Sequence, residues 1–358
     1  MGQQGHASAA ERAAMRRALV LAATPGVPMV ADTRRVGCVL LADDGSTVAE
    51  GYHRGPGTAH AEADALARAG DRARGTTAVV TLEPCNHTGR TGPCTEALVA
   101  AGVRRVVYAE GDANAVASGG AATLRDAGIE VVAGVLADEA AALAAVYDVA
   151  RREQRPFVTW KFAATLDGRS AAADGTSRWI SGAASRRDTH RLRGLCDTML
   201  VGTGTVLEDD PLLTVRDADD HPLPTQPLRA VMGERDLPDE ARVLNGDAQT
   251  VHLRTRDPEK ALAELWALGR QHVFLEGGPT LAAAFLADGL VDEVVAYVAP
   301  TLLGAGRSAV ADLGITTIDD ALRLEIVDAA LVGEGPDADV RIIARPRDRQ
   351  HSQNGKDS

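Results

Sequence analysis

Two of the chain's four cysteines lie in the segment TLEPCNHTGRTGPC, residues 81–94, with eight residues between them. Each of them, Cys85 and Cys94, directly follows a proline, and the segment His60-Ala61-Glu62 lies upstream. One imidazole and two thiolates are three ligands of a tetrahedral Zn²⁺ site that keeps its fourth position for water, as catalytic zinc sites do. The sequence therefore predicts zinc bound by His60, Cys85 and Cys94.

Glu62 is predicted to be a proton shuttle. It lies too close to His60 along the chain to be a convenient fourth ligand, yet it can reach a metal-bound water and pass a proton to a leaving amine. His-x-Glu followed by Pro-Cys elements is typical of zinc deaminases, although two residues more often separate their cysteines. We expect each ligand to lie at the start of a helix, where free N–H groups favour thiolate. The alternative, a capping histidine and small buried cysteines, suits any one of these residues better than the ordered set.

The first part of the chain alternates between strand and helix signals, which predicts a layered α/β sheet. Strands are predicted over 36–41, 78–82, 103–108 and 129–133, with a hairpin turn into a further strand after the first. Helices are predicted over 14–22, 61–69, 95–101, 121–127 and 137–152. Pro156 then stops helical geometry, so we place the end of a first domain at residue 150.

A second α/β domain is predicted over residues 151–346, followed by a polar, disordered tail over 347–358. Its strands are predicted over 157–163, 198–202, 228–232, 272–275 and 293–299, with two more within 322–345. Cys38 and Cys196 lie in or near apolar strands, and core packing is the better interpretation of both.

Composition excludes several classes of function. The net charge of −12 argues against a nucleic-acid-binding protein, so a phosphorylated ligand would need a local cluster of cations. No secretory signal pattern and no apolar run of membrane-spanning length is present, and four cysteines do not suggest a disulfide scaffold. We expect a cytoplasmic protein that does not bind membranes.

Two features of the second domain point to a cofactor. Lys161, one of only three lysines, lies in an apolar strand, where it is either functional or extends its amine to the surface. The segment Glu276-Gly277-Gly278-Pro279-Thr280 follows a strand and opens a helix, whose free N–H groups can hold phosphates; a simple tight turn is the alternative.

Several long motifs, in order, resemble one family. HAEADAL and VTLEPCNHTGRTGPC are followed by KFAATLDGRSAAADGTSRWIS, VGTGTVLEDDPLLTVR, LEGGPTLAAAFL and APTLLGAGR. Together they strongly resemble the bifunctional deaminase-reductases of riboflavin biosynthesis, over residues 13–345, with details similar to actinobacterial members. The resemblance implies a cytidine-deaminase-like three-layer α/β domain followed by a dihydrofolate-reductase-like α/β domain.

The resemblance also implies substrates and site residues. The first domain would remove the 2-amino group of 2,5-diamino-6-ribosylamino-4(3H)-pyrimidinone 5′-phosphate, and the second would use NADPH to reduce its ribosyl group to ribityl. Implied contacts of the deaminase substrate are His53, His87 and Arg90. Implied NADPH contacts are Ala163, Trp179, Thr205, Asp209, Gly278, Pro279, Thr280, Leu281, Ala282, Ala283 and Ala284. Implied contacts of the reductase substrate are Lys161, Ser177, Arg193, Leu213, Arg216 and Glu276.

The sequence departs from the family pattern in three places. Thr33-Arg34 stands where the family has Asn-Pro, and Asp112–Ala115 lacks two usual prolines. Glu234 stands where a serine often lies near the adenosine 2′-phosphate, although Arg235 follows it. The first two departures leave open a paralogue that acts on a related nucleotide. A nucleotide-binding protein without catalysis, with structural zinc, is a third hypothesis. The apolar C-terminal strands predict a homo-oligomer, in the first instance a dimer.

Overall fold

The computed structural model describes residues 6–24, 27, 34–55, 57–87, 92–111, 119–217 and 219–347. The chain divides into two compact units, Met1–Val149 and Ala150–Ser358. Within the described ranges, no helix combines the length and the apolar character that crossing a bilayer requires.

A five-stranded sheet flanked by helices forms the first unit. Its strands are β1 (Gly37–Leu41), β2 (Thr47–Tyr52), β3 (Thr77–Leu82), β4 (Arg105–Glu110) and β5 (Glu130–Val132). Its helices are α1 (Ala9–Ala22), α2 (Ala61–Ala69), α3 (Cys94–Ala100), α4 (Gly120–Asp126) and α5 (Ala137–Glu153). The strand order is β2-β1-β3-β4-β5, with β1 antiparallel to both of its neighbours and β3, β4 and β5 parallel.

Helices cover both faces of this sheet, which confirms the predicted three layers. Alternate residues of β1 point to opposite faces. Cys38 packs with Leu98 of α3 and Leu124 of α4, and its predicted place in the core is confirmed. On the other face Val39 packs with Met15 of α1. All five residues of β1 are buried, as expected of a strand covered on both sides.

Helix α2 lies unusually close to β2 because a glycine stands at their contact. A Cβ atom on Gly51 would come within 2.4 Å of the Ala61 carbonyl oxygen and 2.4 Å of the Ala65 nitrogen, both backbone atoms of α2. Backbone atoms cannot give way as the end of a side chain can, so only glycine permits this distance. The contact fixes the position of the helix that His60 precedes.

The second unit contains an eight-stranded sheet and a separate two-stranded one. Its strands are β6 (Phe157–Thr165), β7 (Arg169–Ala171), β8 (Thr198–Gly202), β9 (Leu228–Met232), β10 (Thr250–Leu253), β11 (His272–Leu275), β12 (Glu293–Ala299), β13 (Arg307–Ser308), β14 (Leu324–Val332) and β15 (Asp339–Pro346). Its helices are α6 (Ala183–Arg193), α7 (Thr203–Asp209), α8 (Pro258–Ala267) and α9 (Pro279–Ala287). The large sheet has the order β10-β9-β8-β11-β6-β12-β15-β14, and β7 pairs with β13.

Six strands of the large sheet are parallel, and the hairpin of β14 and β15 extends it in antiparallel fashion. Leu262 of α8 and Phe285 of α9 pack on one face, whereas Val206 of α7 and the buried Cys196 pack on the other. The core assignment of Cys196 is therefore confirmed. Because the carboxyl ends of parallel strands share an edge, the segments after β6, β8, β9 and β11 meet there, where α/β sheets bind ligands.

The predicted strands are all present, with ends shifted by two residues at most. Helix α1 begins earlier than predicted because Ser8 and Glu11 form a capping box. Helices α6, α7 and α8 and strands β7, β10 and β13 were not predicted. Helix α6 is highly polar, and a tertiary contact supports it, since the buried Asp339 accepts hydrogen bonds from the Gly182 N–H and the Ser185 hydroxyl. From residue 348 onward, the predicted tail lies outside the described residues.

We predict that Gly51→Ala destabilises the first unit by about 1–3 kcal/mol, because the added methyl group forces α2 away from β2. The free energy of unfolding, measured with a chemical denaturant, tests this. Gly92→Ala is the matched control, since a Cβ atom there meets nothing within 4 Å. Equal stability of both variants and the wild type would contradict the packing argument.

Candidate active sites

The three predicted zinc ligands converge in the first unit. His60 is the N-cap residue of α2, Cys94 is the first residue of α3, and Cys85 follows the end of β3. The Nδ1 atom of His60 lies 3.3 Å from Sγ of Cys94 and 3.6 Å from Sγ of Cys85. All three ligand atoms lie within 4.8 Å of one another. The structure thus assembles residues that are distant along the chain into one group.

One expectation about these ligands is wrong, because Cys85 does not open a helix. It lies in an irregular segment and contacts the beginning of α3 instead. The Cys94 N–H donates to Sγ of Cys85 at 3.4 Å, and the Thr95 N–H donates to the Cys85 carbonyl oxygen at 3.3 Å. The N–H groups that favour a thiolate at Cys85 therefore belong to a helix that begins at Cys94.

Hydrogen bonding sets the charge of the two sulfurs. The hydrogen bond from Cys94, against the opposing effect of burial, lowers the pKa of Cys85 to about 4. The same hydrogen bond and burial raise the pKa of Cys94, and repulsion from the charges of Glu62 and Cys85 raises it further. The hydrogen bond to Cys85 raises the pKa of His60. A cation between the two sulfurs removes the repulsion and permits both to ionise.

Glu62 lies in the first turn of α2 with only 4% of its surface exposed. Burial raises the pKa of Glu62 to about 7, against the opposing effect of His60. A carboxyl group with this pKa can both take and release a proton at neutral pH. Its location next to the ligand group and its pKa agree with the predicted proton shuttle.

The donor set fits zinc. Two sulfurs and one imidazole nitrogen are ligands that Zn²⁺ favours, and in the described part of the chain no fourth histidine, cysteine or carboxylate joins the group. Three protein ligands leave one coordination position open. An open position is typical of catalytic rather than structural zinc.

Two of the three predicted contacts of the deaminase substrate lie close to these ligands. The His53 ring packs edge-on against that of His60, with 5.4 Å between centroids. Its Nδ1 lies 3.0 Å from the Ala59 carbonyl oxygen, which indicates a proton on Nδ1, and burial lowers the pKa of His53. His87 follows Cys85 by two residues, and its Nδ1 is buried without a hydrogen-bond partner among the described residues. Arg90 lies outside the described residues.

Arg34, one of the departures from the family pattern, contacts α5. Its Nη2 donates to Oδ1 of Asp148 at 2.5 Å, and its guanidinium lies 4.9 Å from the centre of the Tyr147 ring. Glu110 of β4 lies 3.8 Å away. These contacts give Arg34 a structural role and neutralise its charge. Thr33 and Asp112–Ala115 lie outside the described residues.

The second unit contains an open cleft of about 1750 Å³ at the carboxyl edge of its parallel strands. Most of the predicted reductase residues line it: Lys161, Ala163, Ser177, Trp179, Arg193, Thr205, Asp209, Leu213, Arg216, Glu276, Gly278, Pro279, Thr280, Leu281 and Ala284. Ala282 and Ala283 are exceptions and do not line the cleft. Both are buried, with Ala282 in the apolar cluster, because a helix of about 3.6 residues per turn presents only part of each turn to the cleft.

An ion pair organises one end of the cleft. Arg193 donates from Nε to Oε1 of Glu276 at 2.8 Å and from Nη2 to Oε2 at 2.6 Å. Burial alone would raise the pKa of Glu276, but Arg193 lowers it to about 2. Burial lowers the pKa of Lys161, an effect that Glu276 opposes and Arg193 reinforces. A carboxylate, a guanidinium and a lysine amine with weakened basicity therefore share this end.

The same cleft has features suited to a dinucleotide. Gly278 is the N-cap of α9 and Pro279 its first residue, so the first N–H groups of α9 are available to phosphates. Glu234, whose charge would repel a 2′-phosphate, is paired with Arg256 at 3.2 Å. Arg235 lies beside the start of α7, where a Cβ on Gly204 would lie 3.2 Å from its Nη2. These residues fit NADPH, because Arg235 and Arg256 carry more positive charge than Glu234 carries negative charge, and the 2′-phosphate is an anion.

Comparison with known proteins identifies the family. Residues 8–110 match the model of the cytidine and deoxycytidylate deaminase zinc-binding region, and residues 156–336 match that of the RibD C-terminal domain. The chain is 50% identical over 311 residues to the riboflavin biosynthesis protein RibD of Mycobacterium tuberculosis, covering 87% of this chain and 91% of the relative. The chain belongs to the RibD family.

Solved RibD structures agree with this assignment. The Acinetobacter baumannii protein has a TM-score of 0.78 at 36% identity, covering 94% of this chain and 99% of that one. A Thermotoga maritima deaminase/reductase has a TM-score of 0.81 at 30% identity, with the same coverage. The RibD of Escherichia coli is 38% identical over 342 residues, which cover 86% of this chain and 92% of the relative. As a member of this family, the chain is a bifunctional deaminase and reductase of riboflavin biosynthesis.

The structure adds cleft residues that the sequence did not indicate. Arg186 lies 4.4 Å from the centre of the exposed Trp179 ring, and its Nη1 donates to the Ser181 carbonyl oxygen. His190 lines the cleft one helical turn before Arg193. Both belong to α6, and prediction of that helix would have placed them on the face that carries Arg193.

We predict that Cys85→Ser reduces bound zinc from about one ion per chain to a small fraction, because the site loses a thiolate. Metal analysis of the purified protein tests this. Cys38→Ala, which removes a buried cysteine of the same unit outside the ligand group, and Glu62→Gln should both retain zinc. Undiminished zinc in Cys85→Ser would show that the metal binds elsewhere.

Proposed function

We propose that the first unit hydrolyses the 2-amino group of 2,5-diamino-6-ribosylamino-4(3H)-pyrimidinone 5′-phosphate. The second unit then reduces the ribosyl group of the product to ribityl with NADPH. The relative from Thermotoga maritima is a diaminohydroxyphosphoribosylaminopyrimidine deaminase and 5-amino-6-(5-phosphoribosylamino)uracil reductase, and this similarity supports both substrates. The observation that carries the proposal is the convergence of His60, Cys85 and Cys94 beside the buried Glu62.

In the deaminase site, His60, Cys85 and Cys94 hold zinc, which when bound acts as a Lewis acid and makes water a better nucleophile. Glu62 takes a proton at its carboxylate and returns it to the departing amino group, so that ammonia leaves as a neutral molecule. The pyrimidine and its phosphate are oriented by His53, His87 and Arg90. Burial lowers the pKa of His53 and so favours its neutral form.

In the reductase cleft, NADPH would supply a hydride when bound. It would be held by the start of α9, by the arginines near Glu234, and by Ala163, Trp179, Thr205 and Asp209. Reduction at C1′ would break the bond between C1′ and the ring oxygen of the ribosyl group, and that oxygen would need a proton. We assign that proton to Nζ of Lys161, because burial lowers its pKa. Glu276 and Arg193, with Ser177, Leu213 and Arg216, position the sugar and its phosphate.

The deaminase is proposed to span residues 1–150 and the reductase 151–346. A cytoplasmic location belongs to the same proposal. All four cysteines are buried and free of disulfides, as suits a reducing compartment that supplies NADPH.

We further propose that the second unit forms a homodimer through β14 and β15. Strand β14 is a long edge strand, and its side chains Ile326 and Leu331 are 64% and 75% exposed. Val327 of β14 and Val340 of β15 are exposed as well. An apolar edge strand of this length is normally covered, since it otherwise promotes association.

We predict that incubation with the diamino pyrimidinone phosphate releases ammonia with or without NADPH, whereas NADPH oxidation follows only after deamination. Glu62→Gln should slow ammonia release by about 10²–10⁴-fold, because it removes the proton shuttle. NADPH oxidation should return to the wild-type rate when this variant receives the deaminated intermediate. Ammonia release by Glu62→Gln at the wild-type rate would refute its assigned role.

We predict that Leu331→Asp converts a dimer into monomers, because a carboxylate would be buried in the interface. Sedimentation equilibrium measures the mass. Val20→Asp is the matched control, since Val20 is an exposed apolar residue of α1, and it should leave the dimer unchanged. A wild-type protein that stays monomeric at all concentrations would contradict the proposal.

A further inference from the structure

His190 is a histidine of the reductase cleft with no role so far. It is half-buried on α6 and lines the cleft. Residues three apart on a helix share a face, so His190 lies on the same side of α6 as Arg193. The charges of Arg193, Glu276, Arg216 and Asp220 all act on its ring, while burial lowers its pKa. A neutral imidazole thus lies among residues proposed to bind substrate.

The two ring nitrogens of His190 differ in environment. Nδ1 is buried and has no hydrogen-bond partner among the described residues. Nε2 is not one of the buried unpaired atoms and is therefore the nitrogen available to the cleft. Buried N–H groups without a partner are rarer in folded proteins than unused acceptors. The proton of the neutral ring consequently belongs on Nε2, where it can be donated to a ligand.

The nearby cations differ in their availability to a ligand. Arg193 is held by two short hydrogen bonds to Glu276, both side chains being less than 20% exposed. Arg216 instead pairs with Asp220 at 2.9 Å, and the Asp220 side chain is 78% exposed. Exposed ion pairs of this kind contribute little free energy, so a dianion can replace Asp220.

We propose that His190 is a substrate-binding residue whose Nε2–H donates to the 5′-phosphate of the reductase substrate, beside Arg216. The proposal rests on the proposed reduction of a phosphorylated ribosylaminopyrimidine. It assigns the phosphate to the part of the cleft between α6 and the loop that contains Arg216.

Two variants separate the ring nitrogens. In His190→Gln the side-chain amide can still present an N–H near the position of Nε2, whereas the shorter amide of His190→Asn reaches only the position of Nδ1. We expect His190→Asn to raise the Kd of the deaminated, phosphorylated substrate about tenfold, and His190→Gln to recover most of the affinity. Titration calorimetry on the full-length protein measures Kd without turnover. His6→Asn, an exposed histidine of the first unit, is the control.

The dephosphorylated substrate tests the assignment to phosphate. The wild type should bind it more weakly than the phosphorylated substrate. The wild type and His190→Asn should bind it with the same Kd, so that the tenfold difference between them disappears. A tenfold difference that persists without the phosphate, or equal binding of the phosphorylated compound by all proteins, overturns the proposal. So does a matching loss of NADPH affinity in His190→Asn, which would indicate a packing role. If the wild type binds the substrate but oxidises no NADPH, the proposed reduction is wrong. The Kd values of the wild type and the variants still test whether His190 binds the phosphate.

Discussion

Repulsion between two closely placed sulfurs is the constraint on which the first unit depends. Cys85, Cys94 and His60 present their ligand atoms within 4.8 Å of one another, and without a cation only one sulfur ionises readily. The fold holds them there through backbone contacts. Gly51 allows α2 to approach β2, and the first N–H groups of α3 bond to Cys85. A divalent cation relieves the repulsion and lets both sulfurs ionise, and the two sulfurs and the imidazole are ligands that favour zinc.

The second unit meets a related electrostatic problem in another way. It carries Lys161, Arg193 and Glu276 at one end of a cleft, within a chain of net charge −12. The bidentate pair of Arg193 and Glu276 keeps the carboxyl group ionised, and burial weakens the basicity of Lys161. The cleft therefore combines a rigid ion pair with groups whose charge or hydrogen bonds remain available, such as Arg216 and His190. That combination suits a phosphorylated sugar, which must be held in position and must also receive a proton.

Most of the fold and the metal ligands could be predicted because they rest on local signals. Apolar strands, the Pro-Cys pairs and His-x-Glu are short patterns with a direct physical meaning. The helix attributed to Cys85 was wrong, because its partner N–H groups come from α3, nine residues later. Helix α6 was not predicted because its sequence, AASRRDTHRLR, has little apolar character. Its beginning is stabilised by hydrogen bonds to Asp339 of β15, which is distant along the chain. Arg186 and His190 were missed with it. Side-chain placement within a helix, as for Ala282 and Ala283, likewise depends on the final packing.

X-ray absorption spectroscopy at the zinc edge tests the central claim most directly. The account predicts about one zinc per chain with two sulfur neighbours at about 2.3 Å and two nitrogen or oxygen neighbours at about 2.0–2.1 Å, and the loss of one sulfur neighbour in Cys94→Ser if metal remains. A zinc ion surrounded by four sulfurs or by light atoms alone, or protein purified without metal that deaminates its substrate, would contradict it.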